Sequence, residues 1–183
     1  MKLNPPILND KINSENNLRG VNLKTEIGNL FNICMDNATE EELEVLLHLL
    51  HGINKKQSIR NVSFIDNLLH LEKVINHESC EITIPLSSLL NNSLGIVHGG
   101  IIATLIDTAM GTLANSLLPD GFGAVTTQLN IHYLAVGKGD YLQCKAQIDH
   151  KGTKTMVLSA TVHRADGKKI AQASGSFFIV AKK

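Results

Sequence analysis

One stretch, Asn92 to Leu118, reading NSLGIVHGGIIATLIDTAMGTLANSLL, limits the possible folds of this chain more than any other. A polar, glycine-punctuated turn runs without a break into about 18 nearly uncharged helix-forming residues, and Asp107 is the only charged group in that run. A helix that is apolar over most of its surface has to be buried, in a domain or in a bilayer. A spanning helix needs about 20 predominantly apolar residues, whereas Thr104, Asp107, Thr108, Thr112, Asn115 and Ser116 interrupt this one. The stretch therefore predicts the central helix of a globular domain. Winding it at ~3.6 residues per turn puts Ile102, Leu105, Ile106, Ala109 and Leu113 on one broad face, with Ala103, Asp107, Gly111 and Ala114 opposite. Small neighbours allow another backbone or a ligand to come close to Asp107, and a carboxylate in such a place is desolvated unless it is hydrogen-bonded. Two readings stand side by side: a reactive carboxylate, or one that bonds a neighbouring strand or faces solvent.

His98-Gly99-Gly100 sits where that helix begins. Glycine there leaves backbone N–H groups uncovered, so the positive end of the helix can meet a developing negative charge. Asp107 follows His98 by about two and a half turns, or ~14 Å along the axis. One copy of the helix cannot readily bring its own start and its own carboxylate to the same atom. Either the two features serve different purposes, or two copies of the chain build a shared site.

At 183 residues and 43% hydrophobic content the chain has material for one core plus an appendage. Its 17 basic and 17 acidic residues balance, which removes the electrostatic case for a nucleic-acid or anionic-membrane partner. Cys34, Cys80 and Cys144 are odd in number, far apart and without C-x-x-C spacing, so they read as free or buried thiols in a reducing, cytoplasmic setting. The start, MKLNPPILND, has no apolar core of an export signal.

Residues 1–60 form a helical extension in this reading, and residues 61–183 the main domain. Met1 to Gly20 is Asn-rich with a Pro pair and is expected to have little regular structure. Asn22 to Met35 carries apolar residues at helical spacing. A second helix starts at Thr39 with a capping box to Glu42, and Gly52 is expected to close it. Seven basic and eight acidic side chains in residues 1 to 60 argue against a DNA-reading helix pair, because phosphate contacts need the opposite balance. Ser63 to Leu69 predicts one helical turn, followed by strands at Leu71 to Ile75 and Cys80 to Pro85. Past the central helix, AVTTQLNIHYL, YLQCKAQIDH, TMVLSATVHRA and KKIAQASGSFFIV read as four consecutive antiparallel strands, with Asp166-Gly167 as a hairpin signal. The order of elements implies an α+β layer fold with a sheet wrapped about one buried helix.

The segment N-x-x-G-x-V-H-G-G-x-x-A-T-L-x-D, standing here as Asn92, Gly95, Val97, His98, Gly99, Gly100, Ala103, Thr104, Leu105 and Asp107, resembles the signature of the PaaI-like acyl-CoA thioesterases, which have the hotdog fold. The resemblance extends from about Phe64 to Val180 and takes in the strand NIHYL, the Lys151-Gly152 turn and the closing A-x-A-S-G-S-F. It implies a homodimer or homotetramer, with each site taking the HGG helix start from one chain and the aspartate from the other. It also implies hydrolysis of an acyl-CoA or aryl-CoA thioester with no cofactor, coenzyme A being part of the substrate. Carried over, Asp107 is the general base or a nucleophile, Gly99 gives its N–H to the thioester oxygen, and Asn92 and His98 position the carbonyl and the water. Gly100 is expected at the substrate, together with a hydroxyl from Thr126 or Thr127. Lys151, Lys154 and Arg164 are candidates for the CoA phosphates. Tyr133 stands where the family's N-x-x-F-x-x-P strand ending has Phe, and the proline is missing.

Thioester hydrolysis needs a positioned water and an oxyanion donor, while a leaving thiolate with a pKa of about 8.5 needs little help. A non-catalytic acyl-CoA sensor and a hotdog hydratase or dehydratase are the alternatives; the presence of Asp107 and the acidic first sixty residues speak against the first, and the HGG-to-Asp spacing argues for hydrolysis over the second. His48 and His51 share a helix face without a third ligand and read as solvent-facing, and no metal site is expected. His132 and His163 fall in strands.

Overall fold

The computed structural model describes residues 22–59 and 62–182. The expectation for Met1 to Gly20 lies outside them. In order, the elements are α1 (Leu23–Asn37), α2 (Glu40–Ser58), α3 (Phe64–Leu68), β1 (Glu72–Ile75), β2 (Ser79–Pro85), a 3-10 turn (Ser88–Leu90), α4 (Gly99–Ser116), β3 (Phe122–Tyr133), β4 (Tyr141–Lys151), β5 (Thr155–Arg164) and β6 (Lys169–Ala181). Contacts divide the chain into two compact units, Met1–Leu43 and Glu44–Lys183.

In the first unit the Asn22 side chain caps α1 by accepting the Lys24 N–H, and none of the helix's residues is buried. The capping box ahead of α2 forms as expected. Thr39 Oγ1 accepts the Glu42 N–H at 3.3 Å, and Glu42 Oε2 takes the Thr39 N–H and hydroxyl at 2.8 and 2.9 Å. Those bonds hold the Glu42 carboxyl below its ordinary pKa.

In the second unit α2 does not stop at Gly52 but runs on to Ser58. Gly52 is a crossing point and not a cap: a Cβ there would lie 2.7 Å from the Asn67 carbonyl oxygen and 2.9 Å from Leu68 Cα. The sequence signal was the glycine, and its reason is close approach to α3. Asn67, the one buried polar residue among those described, donates to Ser63 O at 3.0 Å. Two imidazoles complete the contact. His48 Nε2 lies 3.0 Å from Leu68 O, and His70 Nε2 lies 3.0 Å from His48 O, so each ring carries its proton on Nε2. His48 is therefore half-buried, not solvent-facing as expected, and its ring centroid is 4.1 Å from that of His70. Burial first, and then the facing His70 and His51, lower the His48 pKa below 6.5, while the bond to Leu68 opposes the shift. The folded chain then binds fewer protons here than the unfolded chain, so this contribution is fully present above the unfolded pKa and is lost as the pH falls through the window below it. A melting temperature that declines from pH 7 to pH 5 is expected, with a shallower decline in His48→Gln measured by thermal unfolding at each pH. Equal slopes in both proteins would rule out His48 as the titrating group.

The six strands form one antiparallel sheet in the order β1-β2-β4-β5-β6-β3, and α4 packs against it. Alternation sends Leu142, Cys144 and Ala146 of β4, and Met156, Leu158, Ala160 and Val162 of β5, into the core. They meet Ile102, Leu105, Ile106, Ala109, Met110 and Leu113 of α4. Ala114, placed by winding on the small-residue face, is also fully buried. Gly175 lets the layers close, since a Cβ there would sit 2.9 Å from Met110 Sδ and 3.3 Å from Gln128 O. Burial pushes the Cys80 and Cys144 thiols up to about 11 and about 12. The Asp166-Gly167 hairpin forms with Gly167 at φ 80°, and Asp166 accepts the Lys168 N–H and pairs with Arg164, which holds its carboxyl at about 2.

The four C-terminal strands are not four successive neighbours. β4, β5 and β6 form a meander, whereas β3 lies beyond β6 and pairs on one side only. This leaves a 12-residue edge strand, most of it exposed.

Candidate active site

Asp107 is half-buried on α4, and its Oδ1 accepts the Thr126 hydroxyl at 2.8 Å. Two devices bring Thr126 there. Asn115, two turns further along the helix, clamps the start of β3: its Oδ1 accepts the Ala124 N–H at 3.0 Å while its Nδ2 donates to Gly111 O at 2.7 Å. Then the strand bulges. Thr126 faces Phe177 and Gln128 faces Ser176 in the register with β6, so Thr127 is the extra residue. Its hydroxyl turns to Ser176 O at 3.0 Å. Half-buried positions accordingly switch from Ala124 before the bulge to Leu129 and Ile131 after it. Of the two threonines considered from sequence, Thr126 meets the carboxylate and Thr127 does not. Nothing in TTQ announces a bulge, so the resemblance to the family left both threonines open.

An open pocket of about 570 Å³ lies beside Asp107. Thr108, Gly111 and Thr112 of α4 form one wall, and Val125, Thr126 and Phe177 of the sheet another. Ile65, Asp66 and Lys73 complete it. Lys73 Nζ is 2.9 Å from Asp66 Oδ1, an ion pair. Sequence reading missed these three residues, and its only pointer was the single turn after the Ser63 cap.

The second half of the candidate site is the start of α4. His98 is its N-cap, with Nδ1 accepting the Gly100 N–H at 2.9 Å and therefore the proton on Nε2. A Cβ on Gly100 would stand 3.0 Å from that Nδ1, so glycine is what lets the imidazole sit there. The Gly99 N–H has no acceptor among the described residues. Asn92 organises the preceding loop: its Oδ1 accepts the Leu94 N–H at 2.9 Å, and its backbone N–H donates to Ile96 O at 2.8 Å. Tyr133, at the end of β3, donates its hydroxyl to Gly99 O at 3.0 Å. The Phe of the family pattern could not make that bond, so the departure noted from sequence has a structural consequence.

The basic candidates are dispersed. Lys151 Nζ donates to Leu117 O at 2.6 Å, at the carbonyl end of α4, where a cation complements the helix dipole. Lys154 is exposed, and Arg164 is engaged with Asp166. His132 is exposed and His163 half-buried, and no cluster of three metal-binding side chains occurs among the described residues. Gly99 and Asp107 are eight residues apart on one helix, ~12 Å along its axis. Within one chain the two halves do not meet.

Comparison with known proteins gives this arrangement a family. Residues 94–171 match the model of the thioesterase superfamily, a span that takes in the helix start, Asp107 and Thr126. A Saccharolobus solfataricus protein provisionally named an esterase is 34% identical over 114 residues, which cover 61% of this chain and 80% of that protein. Mouse acyl-coenzyme A thioesterase 13 is 34% identical over 84 residues, covering 44% of this chain and 59% of the mouse protein. Among solved structures, a Bacillus halodurans protein crystallised with CoA superposes with a TM-score of 0.76 at 40% identity, over 80% of this chain and 98% of that one. The Escherichia coli PaaI protein shares the fold, with a TM-score of 0.63 at 22% identity over 74% and 97% of the two chains. The sheet wrapped on one long helix is thus what this chain has in common with the solved structures: it belongs to the thioesterase superfamily and is a thioester hydrolase of hotdog fold.

Proposed function

We propose that the chain hydrolyses acyl-CoA thioesters, with Asp107 as general base, in sites shared between two copies. The observation that carries the reading is the fixed carboxylate: Thr126 holds Asp107 Oδ1 at the mouth of the pocket and leaves Oδ2 free to take a proton. A water between Oδ2 and the thioester carbonyl gives its proton to Asp107 as its oxygen attacks the carbon. The oxyanion that forms accepts the Gly99 N–H at the positive end of α4, and collapse expels the CoA thiolate, which recovers the proton. His98 holds the glycine turn in shape through Gly100, and Asn92 holds the loop before it.

The ~12 Å between Gly99 and Asp107 requires a second chain, and the exposed edge of β3 supplies the means. An unpaired strand of 12 residues is a template for pairing. An antiparallel, isologous pairing that sets Thr126 of one copy opposite Tyr133 of the other brings the Asp107 half of each chain to the Gly99 half of its partner. Binding of CoA by the Bacillus halodurans relative supports the substrate class. A reducing cytoplasmic compartment fits the thiol forms of Cys80 and Cys144 and is part of the proposal. Among the described residues no helix is long and apolar enough to cross a membrane.

The test is incubation with a panel of acyl- and aryl-CoA thioesters and assay of both products. Free CoA thiol and carboxylic acid are expected in equal amounts. Tight binding without thiol release would make the protein a sensor, and a product that keeps its thioester would make it a hydratase.

A further inference from the structure

The family match spans residues 94–171, yet one wall of the Asp107 pocket comes from outside it. That wall is α3 with the first residues after it. Its single turn would not persist alone, and several bonds lock it in place. Ser63 caps the turn by accepting the Asp66 N–H at 3.1 Å, and Asn67 ties back to Ser63 O. Lys73 reaches back from β1 to Asp66, whose carbonyl takes the Leu71 N–H at 2.9 Å. Behind it stands α2, pressed against Asn67 and Leu68 at Gly52 and joined by the His48 and His70 bonds to carbonyls. His70 is the one non-glycine residue with positive φ among those described, at 50°, so the connection from α3 to β1 is held in a conformation that its neighbours must enforce.

Two of the large apolar side chains of this turn, Phe64 and Ile65, go different ways. Phe64 lies under Lys56 Nζ, 5.5 Å from its ring centroid, whereas Ile65 lines the pocket and is still 47% exposed. An apolar side chain left half in water at the edge of a pocket beside a catalytic carboxylate is placed to meet the apolar part of a substrate. Beside Asp107, Ile65, Val125 and Phe177 give the pocket apolar surface for a hydrocarbon chain, next to the polar side chains of Ser63, Lys73, Thr108 and Thr112.

We propose that α3, seated by α2, is the specificity wall of this enzyme: Ile65 meets the end of the acyl group and sets an upper limit on its length. The inference rests on the acyl-CoA reading above and adds the element that selects among acyl groups.

Straight-chain saturated acyl-CoA thioesters from acetyl to palmitoyl test it, with kcat and KM measured for the parent, Ile65→Ala, Ile65→Trp and Gly52→Leu. Ile65→Ala is expected to raise kcat/KM about tenfold for the first homologue beyond the parent's optimum, the order of effect of one methylene in an apolar pocket, mainly through KM. Ile65→Trp moves the optimum to shorter chains, with the change carried mainly by KM. Gly52→Leu, which wedges α2 from α3, broadens the profile towards long chains. Both Ile65 variants change an exposed side chain and so retain the fold. Hydrolysis with profiles in the Ile65 variants superimposable on the parent's overturns this inference alone. A parent that hydrolyses no member of the series overturns the acyl-CoA reading and this inference with it.

Discussion

Asp107→Asn is expected to lower kcat on any CoA thioester the parent hydrolyses by about 10²–10⁴-fold, the usual contribution of a positioned general base. The substitution is nearly isosteric. The carboxamide oxygen can still accept the Thr126 hydroxyl that now bonds Oδ1, so the side chain keeps its place on α4. What it loses is an oxygen able to take a proton from water. The half-buried position and the single hydrogen bond imply a small stability change beside the loss of turnover, and matched thermal melts of parent and variant check this directly. KM should change little, because the contact between carboxylate and water strengthens in the transition state more than in the ground state. Turnover within threefold of the parent, in a variant with the parent's melting temperature, would remove Asp107 from the mechanism. Loss of binding with kcat retained would make it a substrate contact and not a base.

The sequence carried a large part of this arrangement and was silent on particular parts. The apolar face of α4 was legible because Ile102, Leu105, Ile106, Ala109 and Leu113 recur at helical spacing, and all five are buried. Strand alternation likewise identified β4 and β5, and the capping box at Thr39 and the hairpin at Asp166-Gly167 follow from local chemistry that acts within a few residues. Non-local facts were not legible. Gly52 reads as a helix stop in one dimension and becomes a crossing point only when Asn67 and Leu68 arrive against it. His48 shares a helix face with His51, and its burial depends on α3 and the residues after it, twenty or more positions away, which bring in Leu68 and His70. Adjacent threonines at 126 and 127 are equivalent on paper. A bulge against Phe177 and Ser176 separates them, and register with a distant strand decides it. The separation of Gly99 from Asp107 was legible from helix geometry alone, and it posed the question of a second chain before any fold was drawn.

That question has a decisive experiment. Gly99→Pro deletes the proposed oxyanion donor at the one helical position where proline is well tolerated, the first. The preceding residue must then be extended, and His98 already has φ −62° and ψ 134°. A Cβ at position 99 would lie 3.6 Å from the Tyr133 ring, an ordinary contact. Alone, Gly99→Pro is expected to lose about 10²–10³-fold in kcat, and Asp107→Asn alone a comparable or larger factor. Mixed through joint refolding in equal amounts, the two chains form heterodimers in about half of all dimers, and each heterodimer places both lesions in one site and neither in the other. About a quarter of the parent's activity should return, far above the sum of the two separate variants. Recovery depends on the two halves coming from different chains: if Asp107 worked with the Gly99 of its own helix, every site in the mixture would carry one lesion and none would recover. Single-lesion homodimers mixed without refolding, where exchange is slow, supply the baseline against which the return is read.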